Sequence, residues 1–203
     1  MKRFLAILFV TLWLCLAASA QEHTRRPPTA PAPARPTPTP ARPAATPVRT
    51  TPEPDPGGWV RFRSELGRFS IFVPVLPEET KETTQSEHGP YTTYLFIARE
   101  PSYVYLIGWV DYDPSFNFNR QKELEANRDN FVKGVKATLT STQSLKIDGF
   151  PVIEFTADTA ERTFHSRVYM VGRRPYQIVI GYPKGQSELA PIARFFNSFK
   201  VTL

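Results

Sequence analysis

The chain has 203 residues, a formal net charge of +6, 21 prolines and a single cysteine. Twelve of the prolines fall within residues 21–58, which hold no aromatic residue. Residues 59–203 hold 23 of the 26 aromatic residues. This division predicts one globular domain after a proline-rich segment. It excludes a multi-pass membrane protein, a disulfide scaffold and a wholly disordered chain.

The basic charge is spread along the chain. Residues 21–58 and residues 59–203 each carry a net charge of +2, and the other two cations are Lys2 and Arg3. Nucleic-acid binding needs a concentrated basic surface. We therefore expect no nucleic-acid partner.

Residues 1–20 are typical of a secretory signal peptide. Two cations precede an apolar run from Phe4 to Ala17, and Ala18–Ala20 is a cleavage site of the small-x-small type. We therefore expect Gln21 to begin a secreted or periplasmic protein with no membrane span. The alternative is an uncleaved anchor that tethers the protein, but about 15 apolar residues are fewer than the roughly 20 that span a bilayer.

Residues 21–58 predict an extended, disordered linker rich in proline, alanine and threonine. Each proline fixes its own φ angle and pushes the residue before it towards extended geometry. Two interpretations stay open. The linker is either a spacer that reaches across a periplasm or cell wall, or a passive tail whose length matters little.

The globular domain begins with strands. Apolar and basic residues alternate over Trp59–Ser64, a second strand is predicted over Arg68–Val73, and Thr80–Glu87 pairs with Tyr91–Ala98 as a hairpin. Tyr103–Val110 is apolar on both faces. It therefore predicts a central strand with a layer on each side of the sheet.

A helix is predicted over Asn119–Ala137, with Asn117 or Asn119 as its N-cap. The polar stretch Thr138–Ile147 predicts a strand near the edge of the sheet. Close to the C-terminus, apolar side chains at helical spacing predict a second, short helix: Ile192, Phe195, Phe196 and Phe199.

Two hairpins lie between these elements. In the first, a four-residue loop sets Glu154 opposite Arg167, with charged and apolar residues on opposite faces of both strands. In the second, a three-residue loop at Arg173–Pro175 sets Met170 opposite Ile178. Together, the predicted strands and helices indicate an α+β fold in which an antiparallel sheet is flanked by helices, an α/β/α sandwich.

Few groups in the sequence could carry catalysis. It contains no nucleophile elbow, zinc-protease motif, phosphate loop or dinucleotide fingerprint. Removal of the signal peptide would also remove Cys15, the one thiol. We therefore expect a non-catalytic protein without a cofactor.

Candidate binding residues are charged or ring-bearing positions on turns and outward strand faces. They are Arg173 and Arg174 on a hairpin, His88 in a His-Gly-Pro turn, and His165 beside Arg167. An arginine pair suits an acidic partner or a phosphate. Each of these side chains could equally be solvated or paired within the domain, and Arg167 has Glu154 as its cross-strand partner.

Asp111 and Asp113 form an alternative site. They lie at i and i+2 where the central strand ends, and two carboxylates on one side of a strand suit a hard cation such as calcium or an acid/base pair of an enzyme. A third ligand is needed, for which His165 is a candidate. An Asp-Pro pair is also an ordinary way to open a loop.

A second alternative is a carrier for a small molecule or a lipid. It needs an apolar cavity beneath the central strand, with Tyr103, Tyr105 and Trp109 as its lining. The opposing interpretation is that these rings simply fill the core.

Four segments together resemble the PsbP family, which includes an extrinsic photosystem II subunit and a Ran-binding nuclear import factor. They are Gly67–Pro74, Gly149–Phe155, Arg167–Gly172 and Phe195–Phe199. The resemblance spans about residues 59–202 and implies an antiparallel sheet between helical layers. Known members mostly bind proteins, and no functional residue can be carried over. We therefore expect a secreted, monomeric domain that binds a protein or cell-envelope component.

Overall fold

The computed structural model describes residues 57–86, 89–117, 119–186 and 190–202. All strand pairs within them are antiparallel. In chain order the elements are β1 (Val60–Ser64), β2 (Phe69–Val73), β3 (Glu78–Thr84), β4 (Tyr91–Arg99), β5 (Val104–Tyr112), α1 (Arg120–Gly134), β6 (Thr138–Ile147), β7 (Phe150–Asp158), β8 (Arg162–Val171), β9 (Arg174–Pro183), α2 (Ala190–Ser198) and β10 (Lys200–Val201).

Seven strands form one sheet in the order β3-β4-β5-β9-β8-β7-β6. β9 lies in the middle with β5 beside it, and both are buried over most of their length. The prediction that Tyr103–Val110 is covered on both faces is therefore confirmed. β6 lies at one edge, as its polar sequence predicts.

The two predicted hairpins have different outcomes. In the β7–β8 pair, Glu154 lies opposite Arg167, so the predicted register is confirmed. In the β8–β9 pair, Met170 lies opposite Pro175, and the predicted register is wrong. The reason is that the turn holds two residues rather than three: Gly172 has a φ of 63°, which a two-residue type II′ turn requires at its first central position.

Helix α1 covers one face of the sheet over β7, β8 and β9. The side chain of Asn119 accepts hydrogen bonds from two backbone N–H groups of the first turn, at 2.9 and 3.1 Å. Asn119, and not Asn117, is therefore the N-cap. Leu124 and Phe131 are buried against the sheet, and each removes apolar surface from water.

The other face carries α2 and a second sheet of three strands, in the order β1-β2-β10. Phe69 of β2 contacts Trp109 with 5.7 Å between ring centroids, and Phe195 of α2 contacts Tyr105 at 5.1 Å. The Oγ of Ser198 accepts a hydrogen bond from a backbone N–H of β2 at 2.9 Å. The α+β fold with helices on both faces of the sheet is thus confirmed, with three strands added to one helical layer.

The large sheet has two distinct ends. Trp59 and Tyr103 both contact Tyr105, and we call this the entry end, because the described chain begins there. The turn holding Leu66 follows β1, so it lies roughly 17 Å away at the opposite end. Within the described residues, neither helix is long and apolar enough to cross a membrane.

Candidate binding cleft

The pairing between β5 and β9 stops before either strand ends. Their last pair is Trp109 with Tyr176. β5 nevertheless continues beside β4 as far as Tyr112, and β9 begins two residues earlier, at Arg174, beside β8. The residue of β9 immediately before Tyr176 is Pro175, which has no N–H to donate. The regular pairing of the two strands therefore ends here, at the end opposite the entry end, where a cleft opens.

Arg174 spans this opening. Its Nε lies 2.6 Å from Oδ1 of Asp111, and its Nη1 donates to the backbone oxygen of Leu66 at 3.0 Å and to the hydroxyl of Tyr176 at 3.3 Å. Burial alone would lower the pKa of Arg174, but the contacts with Tyr176 and Asp111 outweigh it and raise that pKa above its usual value. The guanidinium group is therefore a permanent, oriented cation.

Arg173 makes a second link across the opening. Its Nη2 donates to the backbone oxygens of Asp113, at 3.2 Å, and of Phe116. The carboxylate of Asp113 instead accepts hydrogen bonds from the Oγ of Ser115 at 2.6 Å and from its backbone N–H at 2.9 Å. These bonds hold the pKa of Asp113 below its usual value. The side chains of Arg173 and Arg174 thus link β9 to β5 and to the residues that follow β5, where the strand pairing has ended.

The result is an open cleft of about 350 Å³. We call it the Arg174 cleft, and its lining residues are Val110, Asp111, Tyr112, Pro114, Arg173 and Arg174. Leu66 lies beside it with 55% of its surface exposed. Pro90 adjoins it, because the backbone N–H of Asp113 donates to the oxygen of Pro90 at 3.1 Å. His88 itself lies outside the described residues.

Four of the residues predicted from the sequence therefore come together in this region: Arg173, Arg174, Asp111 and Asp113. The two carboxylates have different partners, since Arg174 pairs with Asp111 and Ser115 binds Asp113. Within the described residues there is no group of three or more His, Cys, Asp or Glu side chains placed to hold a metal ion.

His165 lies away from the cleft. It is opposite Ile180, which is opposite Tyr105, and Tyr105 is six residues before Asp111 in β5, or roughly 20 Å. Its ring stacks on Tyr182 with 5.8 Å between centroids. Burial lowers the pKa of His165 despite the opposing charges nearby. The structure therefore does not bring His165 to the two aspartates.

Arg167 also has its own partners. It forms the predicted cross-strand ion pair with Glu154, and its guanidinium lies 4.8 Å from the ring centroid of Phe196 in α2. Gln143 donates a further hydrogen bond to Glu154 at 2.7 Å. These contacts join β6, β7, β8 and α2.

The rings assigned to a carrier cavity pack against other rings. Tyr105 contacts Trp59 at 5.5 Å between centroids, and Trp109 stacks on Tyr94 at 4.5 Å. On the other face of β5, beneath α1, a cavity of about 20 Å³ includes Gln177 in its lining. That volume suits about one water molecule. The described residues thus offer no lipid-sized cavity at these two places.

Sequence reasoning missed Leu66 and Pro114 as parts of this region, and it missed the cause of the opening. One signal was available, because a proline within an apolar strand marks a position where strand pairing is interrupted. Because the predicted three-residue loop includes Pro175, sequence reasoning does not predict that the pairing of the two strands ends here.

Comparison with known proteins defines the class of fold. The chain is similar to the solution structure of cyanobacterial PsbP from Synechocystis sp. PCC 6803, with a TM-score of 0.50 and 10% identity over 77% of this chain and 99% of that chain. A crystal structure from Bacteroides thetaiotaomicron VPI-5482 also matches, with a TM-score of 0.34 and 16% identity over 70% of this chain and 48% of that chain. No family model and no curated protein matches the chain.

The domain therefore has a PsbP-like fold, as the sequence resemblance predicted. At 10% identity the likeness to cyanobacterial PsbP concerns the fold alone. The function has to be argued from the residues of this chain.

Proposed function

We propose that the chain is a secreted, non-catalytic adaptor. In this proposal residues 1–20 direct export, residues 21–58 act as a linker, and the domain binds a protein or cell-envelope component at the Arg174 cleft. The observation that carries the proposal is the cleft itself, which is open, has a volume of about 350 Å³ and presents oriented charges.

The cleft has the mixed character of an interaction site. Its cations are held by backbone oxygens, so little side-chain freedom would be lost on binding. Apolar surface lies next to these charges on Val110, Pro114 and the exposed Leu66. This combination of fixed polar groups and apolar surface favours binding.

The charged groups favour binding over catalysis. Arg174 and Asp111 neutralise each other, and Arg173 is engaged with backbone oxygens. Nucleophilic catalysis needs a nucleophile and a base within hydrogen-bond reach of each other. The contacts of the cleft residues do not form such a pair.

The position of the cleft also supports an adaptor. The linker joins the domain at Trp59, which contacts Tyr105 at the entry end, so a partner bound to the cleft would not meet the point where the linker attaches. An extended linker of residues 21–58 could reach about 120 Å.

Affinity capture from the native host tests this proposal. The full chain carries its tag within the linker, because Thr202 lies close to the turn that holds Leu66: its backbone N–H donates to the oxygen of Arg68 at 2.7 Å. Two variants receive the same bulky residue at exposed positions: P114W in the cleft and L76W at the entry end. Retained proteins are identified and quantified by mass spectrometry.

We expect a stoichiometric partner that P114W loses and L76W keeps. Urea unfolding of both variants checks that the domain is intact. A partner retained equally by both variants would contradict the location of the site, and the absence of any specific partner would contradict the adaptor function.

A further inference from the structure

We propose that the cavity beneath α1 binds one ordered water molecule, which donates a hydrogen bond to Oε1 of Gln177. This inference goes beyond the proposed function and does not depend on it, because the cavity lies between α1 and the sheet and shares no residue with the lining of the Arg174 cleft. Three observations support it: a buried oxygen that lacks a donor, a gap in the sheet at Gly108, and the volume of the cavity.

The first observation is the side chain of Gln177, in the middle strand of the large sheet. Gln177 is only 3% exposed, and its Nε2 donates to Oγ of Ser166 at 3.1 Å. Among the residues that the structure describes, no donor reaches its Oε1. Buried side-chain oxygens in proteins almost always accept a hydrogen bond from the protein or from ordered water, because an unsatisfied one is costly. The amide oxygen of Gln177 therefore requires a donor.

The second observation is the gap beside this side chain. Leu95 of β4, Gly108 of β5 and Gln177 of β9 lie opposite one another in neighbouring strands, and all three line the cavity. Gly108 has no side chain, so it leaves space between its two neighbours. The amide nitrogen of Gln177 is directed towards Ser166 of β8, on the other side of β9. The oxygen end of the amide is therefore left for the cavity.

The third observation is the size of the cavity, about 20 Å³. About 10–15 Å³ of such volume suffices for one water molecule, so the cavity admits water but no larger ligand. Its other walls are apolar: Leu106, Phe131, Val135 and Val179. Apolar walls alone would keep it dry. The oxygen of Gln177 reverses this balance, because an unsatisfied buried acceptor costs more than the ordering of one water molecule.

The backbone of Gly108 offers the second hydrogen bond that a buried water molecule needs. Without a side chain, Gly108 contributes only backbone atoms to the lining. A backbone oxygen has two lone pairs, so it can accept a second hydrogen bond in addition to one within the sheet. A water molecule that donates to Gln177 and to the oxygen of Gly108 would connect β9 to β5 beneath α1.

Nuclear magnetic resonance of the full chain with labelled leucine and isoleucine methyl groups tests the proposal. Leu106 lines the cavity and is 5% exposed, and β9 separates it from the hydroxyl of Ser166. A long-lived water molecule beside its methyl groups gives NOE and ROE cross-peaks of opposite sign at the water frequency. The matched control is Ile107, the next residue of β5, which is fully buried in the core on the other face of the sheet.

We expect such cross-peaks at Leu106 and none at Ile107. The absence of a cross-peak at Leu106 would overturn the proposal. Equal cross-peaks at both residues would also overturn it, because they would show general penetration of water into the domain rather than a site beside Gln177.

The substitution G108A checks the source of the signal, because it places a methyl group in the cavity. The cross-peaks at Leu106 should disappear, and their persistence in folded G108A would overturn the proposal. A crystal structure of the original chain gives a test that needs no variant. We expect an ordered water molecule about 2.7–3.2 Å from Oε1 of Gln177, and a side-chain or backbone donor of the protein in that place would contradict the proposal.

Unfolding in urea tests the hydrogen bond to Gln177. Q177M removes the acceptor and keeps a side chain of similar length. G108A would displace the water molecule in either background, but it would leave an unsatisfied oxygen only where Gln177 is present. It should therefore raise the unfolding equilibrium constant at least about fivefold more in the original chain than in Q177M. Equal effects in the two backgrounds would contradict the hydrogen bond.

Discussion

Arg174 and Asp111 face each other across the opening between β9 and β5, with 2.6 Å between Nε and Oδ1. They occupy the second pair of positions beyond the last ladder pair, Trp109 with Tyr176. A side-chain ion pair therefore joins the two strands where Pro175 cannot donate a backbone hydrogen bond. The same pair sets the charge and the shape of the cleft.

R174Q should lower the free energy of unfolding by about 1–3 kcal/mol, because it removes charge-assisted hydrogen bonds to Asp111 and Leu66. The matched control is R99Q. It breaks an ion pair with Glu78 whose side chains are 43% and 86% exposed, and such pairs contribute about 0–1 kcal/mol. Urea unfolding at neutral pH measures both, and equal losses would contradict a structural role for Arg174.

N119A should destabilise the domain by about 0.5–2 kcal/mol, the usual cost of losing an N-cap. Asn119 accepts the two hydrogen bonds that satisfy the first turn of α1. The control is N117A, at an exposed position just outside the helix. Circular dichroism during urea unfolding compares the two variants, and a larger loss for N117A would reverse the assignment of the cap.

The stability of the domain should fall as the pH is lowered towards about 5.5, in part because of His165. Burial lowers the pKa of His165 below its usual value, against the attraction of Glu154 and Asp158. The unfolded chain therefore takes up a proton at a higher pH than the folded chain does. Acidification below the usual histidine pKa of about 6.5 consequently favours unfolding.

H165Q tests this dependence, since His23 and His88 remain in both proteins. The difference in the free energy of unfolding between about pH 7.5 and 5.5 should be smaller in H165Q than in the original chain. An unchanged difference would show that His165 does not cause it.

The mature protein should begin at Gln21. We expect N-terminal sequencing of the protein from its native host to give Gln-Glu-His-Thr, because Ala18–Ala20 matches a signal-peptidase site. A protein that retains Met1 and fractionates with membranes would support the uncleaved anchor instead.

Local patterns sufficed to predict much of the fold. Alternation fixed the register of Glu154 against Arg167, and the doubly apolar sequence of β5 predicted its covered position. These features depend on neighbouring residues in the sequence. The turn after β8 was mispredicted, because Pro175 outweighed the preference of Gly172 for a left-handed conformation.

The candidate site was less predictable. The charged candidates Arg173, Arg174 and Asp111 are visible in the sequence, but their meeting depends on the order of strands in the sheet, in which β9 lies beside β5. No local pattern encodes that order. Without that order, Leu66 could not be assigned to the candidate site, because its turn is more than 100 residues away from Arg174 in the sequence.

The central claim is that a partner binds at the cleft, and site-specific photocrosslinking in the native host tests it most directly. A photoreactive phenylalanine analogue replaces either Leu66, beside the cleft, or Leu76, at the entry end. The two side chains are 55% and 57% exposed, so they have equal access to chance encounters. We predict one discrete crosslinked partner from position 66 and none from position 76. The same partner from both positions, or a partner from position 76 alone, would contradict the account.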